Sequence, residues 1–177
     1  PRRQKLCIND LKELKNKGNI DENHLREAFI NCAAKEIHFL WKRYKDDKTK
    51  DLRTGAKLQD AHEPQKQLKD GTIPENFKRQ MFYTLGDYRD LCLGNDLGKH
   101  EDTTGISDTV RRILSVTNGG TPITAESWWE KNAESIWKGM LCALTHKLND
   151  EENKKKIKET YKDPPHNFAS RPQFFRW

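Results

Sequence analysis

Thr124 to Leu148 read TAESWWEKNAESIWKGMLCALTHKL, and this stretch decides the fold. Trp129, Ala133, Ile136, Trp137, Met140, Leu141, Leu144 and Leu148 recur at intervals of three and four, which brings side chains to one face of an α-helix. Thr124 stands where an N-cap hydroxyl is wanted. Glu126 lies in the first turn, where a negative charge meets the positive end of the helix dipole. The segment is therefore expected to be the central element. Trp129 shares its stripe with Trp137 and belongs to the core, whereas Trp128 is expected to be partly exposed.

Working outward, His24 to about Lys45 carries Leu25, Phe29, Cys32, Ala33, Ile37, Leu40, Trp41 and Tyr44 at the same spacing, with Asp21 and Asn23 as candidate N-caps. The charged run from Lys42 to Lys48 closes that helix, and Thr49 to Gly71, polar and aperiodic, reads as a long loop. A further helix starts near Pro74, places Phe77, Met81, Leu85, Tyr88 and Cys92 on one stripe, and stops at Gly94. Gly86 in its interior costs about 1 kcal/mol relative to alanine, so close packing or a kink is expected there. Ser107 is expected to cap a short helix bearing Val110, Ile113 and Leu114, and Asn118, Gly119, Gly120 and Pro122 form a turn. Asp150 to Tyr161 is a charged, peripheral helix that Pro164 and Pro165 break. Arg171 to Trp177 look like the opening of another helix. No β alternation or internal repeat competes, so the fold class is all-α, a helical bundle with long loops.

A chain of 177 residues fits one domain. Hydrophobic residues make up 33% and charged residues 34%, so the core is thin and rests on aromatics concentrated in the periodic segments. The formal charge of +6 favours acidic partners such as sulfated or sialylated glycans, nucleic acid or anionic lipid. Two clusters could attract such groups: Lys42, Arg43 and Lys45, and Lys154, Lys155, Lys156 and Lys158. A solvated helix face is the competing role for each. No apolar run is long enough to span a membrane, and the first residues do not read as a signal peptide.

Cys7, Cys32, Cys92 and Cys142 are far apart, without a C-x-x-C pair or zinc-finger histidines, which argues against a metal site. Disulfides fit better and imply an oxidising, extracellular location, with four buried thiols as the alternative. Spacing does not choose among the three possible pairings. Neither a nucleophile elbow, a phosphate loop nor a pair of catalytic carboxylates is present. The six histidines are dispersed, and Gly94 to Gly98 form a turn rather than a phosphate cradle. The sequence therefore offers no catalytic, cofactor or metal-binding residues.

Several blocks together carry a resemblance. They are PRRQKLC (Pro1–Cys7), FINCAA (Phe29–Ala34), FKRQMFYTLGDYRDLCLG (Phe77–Gly94), Trp128-Trp129, IWKGMLCALT (Ile136–Thr145) and RPQFFRW (Arg171–Trp177). In this order the chain resembles the Duffy-binding-like domains of malaria parasites, and more closely those of the Plasmodium falciparum erythrocyte membrane protein family. The resemblance covers essentially the whole chain and matches the middle helical subdomain, without the family's loop-rich region before it and cysteine-rich helical pair after it. It implies a disulfide-stapled scaffold, for which the expected pairs are Cys7 with Cys92 and Cys32 with Cys142. It also implies a non-catalytic adhesion module of a membrane-anchored antigen on infected red cells, outside the cell and away from nucleic acid. The implied partner is a host surface or plasma protein, such as an immunoglobulin-superfamily adhesion receptor or an antibody constant region. The alternative is a sulfated or sialylated glycan held by the basic clusters.

Overall fold

A computed structural model describes residues 6–53, 64–95, 103, 105–116, 121–172 and 175–176. These residues form helices α1 (Asn9–Glu13), α2 (Glu22–Arg53), α3 (Pro64–Lys69), α4 (Glu75–Leu93), α5 (Ile106–Ser115), α6 (Ala125–Thr145), α7 (Glu151–Thr160) and α8 (His166–Ala169), with a 3-10 turn at Leu14–Asn16. No strand occurs among them, so the fold is all-α as read from the sequence. The Asn118 to Gly120 part of the expected turn lies outside the described residues.

Side-chain caps form at three helix starts, two of them, Asp21 and Thr124, as predicted. Asp21 Oδ1 accepts the amides of Asn23 and His24 at 2.9 and 3.1 Å. Thr124 Oγ1 accepts the Ser127 amide at 3.1 Å, and Asp150 Oδ1 those of Glu152 and Asn153. Each satisfies amides that the first turn leaves unpaired. Ser107 is not a cap: α5 begins one residue earlier, at Ile106, after Gly105 in the left-handed region (φ 95°). Glycine adopts that turn without the Cβ clash that a serine there would suffer.

The long-loop reading of Thr49 to Gly71 is corrected at both ends. α2 continues through Lys45 to Arg53, and Pro64–Lys69 are helical with Leu68 buried. Residues 54–63 lie outside the described set. The extension has no need of an apolar stripe: Arg43 and Lys50 both flank Asp47, at 3.9 and 4.0 Å, and the Thr49 hydroxyl donates to the Lys45 carbonyl at 2.9 Å. Such pairs, three and four residues apart, support an exposed helix already nucleated by its packed half.

α2 and α6 form the central pair, and α4 packs on both. Phe29 of α2 is the hub, with its ring centroid 5.3 Å from Trp128, 6.2 Å from Trp129 and 6.4 Å from Tyr88. Trp128 is consequently buried, at 1% exposure, and not partly exposed as expected. With neighbours on two sides, the buried arc of α6 is wider than one stripe. A Cβ at Gly139 would lie 2.7 Å from Ile30 Cγ2, so the glycine sets how closely α2 and α6 approach.

The peripheral helix α7 is anchored through Ile157, which is fully buried, and through the Trp137 indole N–H, which donates to the Tyr161 carbonyl at 2.6 Å. Of the expected helix over Arg171 to Trp177, residues 173–174 and 177 lie outside the described set, and the Phe175 amide donates to the Pro172 carbonyl at 2.8 Å, closing a turn. There Arg176 turns inward, 2% exposed, and Phe175 outward, 67% exposed. The Arg176 guanidinium bonds Asp90 of α4, lies 3.8 Å from Asp87, and donates to the Ala169 and Arg171 carbonyls at 3.0 and 2.9 Å. Gly86 is explained by this lock, because a Cβ there would meet the guanidinium carbon at 3.0 Å.

The disulfide staples are not part of this structure: all four cysteines are thiols, and neither Cys7–Cys92 nor Cys32–Cys142 is bonded. Cys32 is fully buried and faces the start of α1, where the Asp10 and Leu11 amides approach its sulfur. Cys7 is beside it, since the Cys7 amide donates at 2.9 Å to Glu36, one turn along α2. Cys142 borders the stripe of α6 and is exposed to solvent, whereas Cys32 is buried. Cys92 is buried, its thiol directed at the Ala125 carbonyl at 3.9 Å.

Burial pushes the thiols of Cys32 and Cys92 up to about 12. Both folded values exceed those of an unfolded chain, near 8.5. Their contribution to stability is therefore complete below that pH and is lost as the pH rises toward 12. In reduced protein, a thiol-reactive dye should label Cys142 within the folded state and Cys32 and Cys92 only on unfolding. The melting temperature should fall between pH 8 and pH 10.5 more than in a Cys32→Ala/Cys92→Ala variant, and equal slopes would contradict the assignment.

Candidate anion-docking groove

α2 and the C-terminal end of α6 part company beyond the core and leave a groove of about 320 Å³ between them. That volume lies at the lower end of small-molecule sites. Trp41, Leu144 and Leu148 give it an apolar floor, while Lys42 and Lys45 of α2 and Lys147 after α6 line its rim with His38 and His146. Asp46 is the one acidic residue among its lining residues.

Helix geometry assembles the α2 wall. His38, Trp41, Lys42 and Lys45 lie three and four residues apart and so project to one side. Trp41 is fixed by stacking on Tyr44 (5.8 Å, 18°) and by an edge contact with Phe77 at 4.8 Å. The Lys45 ammonium lies 5.8 Å from the Trp41 ring centroid, within cation–π range. The other wall is the end of α6, where His146 Nδ1 sits 2.8 Å from the Ala143 carbonyl. A carbonyl only accepts, so it fixes a proton on Nδ1 and leaves Nε2 for the groove. The His38 and His146 ring centroids are 5.7 Å apart. None of Lys42, Lys45 and Lys147 forms an ion pair among the described residues. Three uncompensated ammonium groups over an apolar floor attract an anion that also carries a ring or carbon skeleton.

Of the residues the sequence singled out, Lys42 and Lys45 reach this groove. Arg43 does not: it is exposed and pairs with Asp47 on its own helix. The second cluster is largely committed elsewhere. Lys154 pairs with Glu151 at 2.6 Å, and Lys155 with Glu159 at 3.8 Å. Lys156 reaches the Asp70 carbonyl at 3.4 Å, and Asn153 Nδ2 that of Lys69 at 2.7 Å. This face of α7 therefore clamps the link between α3 and α4, and Lys158 alone of the four is exposed without such a contact. His38, His146 and Lys147 escaped the sequence reading. The spacing of His38 four residues before Lys42 was the available signal, whereas His146 meets it only through the packing of α6 on α2.

Among the described residues no cluster of three or more His, Cys, Asp or Glu could hold a metal ion, and no helix is long and apolar enough to cross a membrane. The fold and groove define a helical scaffold with a basic, apolar-floored groove between α2 and the end of α6. Residues 1–176 match the sequence profile of the Duffy binding domain, and the chain belongs to that family. Comparison with curated proteins and with solved structures gives no match. Duffy binding domains are receptor-binding adhesion modules of extracellular surfaces, which sets the class of this chain.

Proposed function

We propose that this domain binds a host cell-surface or plasma protein, as part of an antigen displayed on the infected red cell. The observation that carries the reading is the family match over 1–176, together with the sequence blocks that resemble the Plasmodium falciparum erythrocyte membrane protein domains. A core clamped by Phe29, Trp128 and Arg176 keeps the docking surface rigid, so little ordering cost opposes association. The partner class is an immunoglobulin-superfamily adhesion receptor or an antibody constant region.

A second reading, binding of a sulfated or sialylated glycan, is favoured by one specific observation, the unpaired lysines of the groove. The test is a binding screen of the 177-residue chain against host surface proteins and sulfated glycans at two salt concentrations. A protein interface with an apolar centre should lose little affinity between 50 and 300 mM salt, whereas binding governed by exposed lysines should weaken steeply. A chain that binds neither class at low salt contradicts both readings.

A further inference from the structure

We infer that the exposed side of α2 beside the groove is a peripheral docking surface for an anionic phospholipid bilayer, with Phe39 as the side chain that enters it. The inference goes beyond the protein and glycan readings and depends on neither. Phe39 is 60% exposed. A single exposed aromatic is ordinary, and it is the setting that gives this one a role. Phe39, Lys42 and Asp46 recur at three and four along α2, so the ring stands on the outer rim of the wall whose inner side bears Trp41 and Lys45. An edge contact with His38, ring centroids 5.6 Å apart, holds it there. Lys42 lies one turn further along, Lys45 beyond it, and Lys147 across the groove, all three without an ion pair among the described residues. Of the acids on this side, Asp47 is flanked by Arg43 and Lys50, which leaves Asp46 as the opposing charge.

The occupant these features select is a bilayer. A ring that projects from the surface has no cavity of its own; it gains apolar surroundings by entering a soft medium, and aromatic side chains settle at headgroup depth. The lysines beside it have long apolar stems, which lie along the acyl boundary while their ammonium groups stay among the phosphates and carboxylates. Buried apolar area and attraction to anionic lipid add, so the anchor and the basic rim reinforce one another. Close to such a surface each unpaired lysine favours binding by about fivefold, an effect that fades within a Debye length.

The test is co-sedimentation of the 177-residue chain with vesicles of phosphatidylcholine alone, and of phosphatidylcholine and phosphatidylserine mixed seven to three, at 50 and 300 mM salt. At 50 mM salt the chain should bind the mixed vesicles at least about tenfold more tightly than the neutral ones, and at 300 mM it should be largely released. Phe39→Ser should weaken that binding by about tenfold, and Phe39→Trp, which keeps a ring suited to the headgroup level, should preserve it. Lys42→Glu/Lys147→Glu should abolish it. The circular dichroism spectrum should be unchanged in all three variants, because the replaced side chains are exposed. Failure to bind the mixed vesicles at 50 mM salt overturns the inference and leaves the protein and glycan readings standing. Undiminished binding by Phe39→Ser overturns the role of the ring, and equal binding to both kinds of vesicle overturns that of the lysines. A chain that binds a heparin-derived tetrasaccharide but no vesicle assigns these lysines to a sugar and overturns the lipid.

Discussion

Arg176→Met should destabilise the domain by about 3–5 kcal/mol, the range for breaking a buried ion pair by removing one partner. Asp87 and Asp90 are 4% and 3% exposed, so removing the guanidinium takes its ion-pair partner from a buried Asp90 and a cation 3.8 Å away from a buried Asp87. The Ala169 and Arg171 carbonyls lose their donor as well. For a chain of this length the loss corresponds to a fall in melting temperature of about 10 °C. Thermal unfolding followed by circular dichroism measures it. D87N/D90N/R176M, which removes the stranded charge too, should recover much of the loss. A shift below about 2 °C in the single variant would show that Arg176 does not lock the chain end onto α4.

Phe29→Ala has an expected cost of similar size, about 3–5 kcal/mol, for another reason. The ring is fully buried where α2, α4 and α6 meet, and it touches Trp128, Trp129 and Tyr88. Truncation loses its transfer free energy and leaves a cavity whose aromatic walls are held by two different helices, Tyr88 by α4 and Trp128 and Trp129 by α6, and cannot collapse together. Phe29→Leu, which fills most of the space, should cost markedly less. Urea denaturation of both variants decides the point, and equal losses would place the stabilisation outside this aromatic cluster.

These two sites also mark how far the sequence could be read. The stripes of α2, α4 and α6 were legible because apolar periodicity reports a buried face directly, and Phe29 lies on one of them. Trp128 was misread, since periodicity records one contact face and α6 has neighbours on two sides. The lock at Arg176 was out of reach: an arginine near Phe175 carries no sign that it turns inward to two aspartates on another helix. Gly86 did announce an exceptional contact, and its cause is the guanidinium that lies against it. α2 outran its predicted end because charged residues sustain a helix through pairs that leave no hydrophobic pattern.

The groove divides in the same way. Lys42 and Lys45 were visible as a basic cluster, yet sequence could not separate them from Arg43, which differs only in the side of α2 on which it projects. The lysines of α7 formed the denser run, and three of them meet Glu151, Glu159 and the Asp70 carbonyl. The histidine pair exists only in three dimensions. Cysteine positions were equally silent on pairing, and the geometry sets Cys32 beside Cys7 and turns Cys142 to solvent.

Charge reversal in the groove tests most directly where this adhesion module makes contact. Lys42→Glu/Lys147→Glu should leave the melting temperature within about 2 °C, since both side chains are exposed. The same variant should weaken binding to the sulfated glycan or host protein that the wild-type chain selects by at least about tenfold at 50 mM salt. Undiminished binding by a folded variant would contradict the placement of the docking site between α2 and α6.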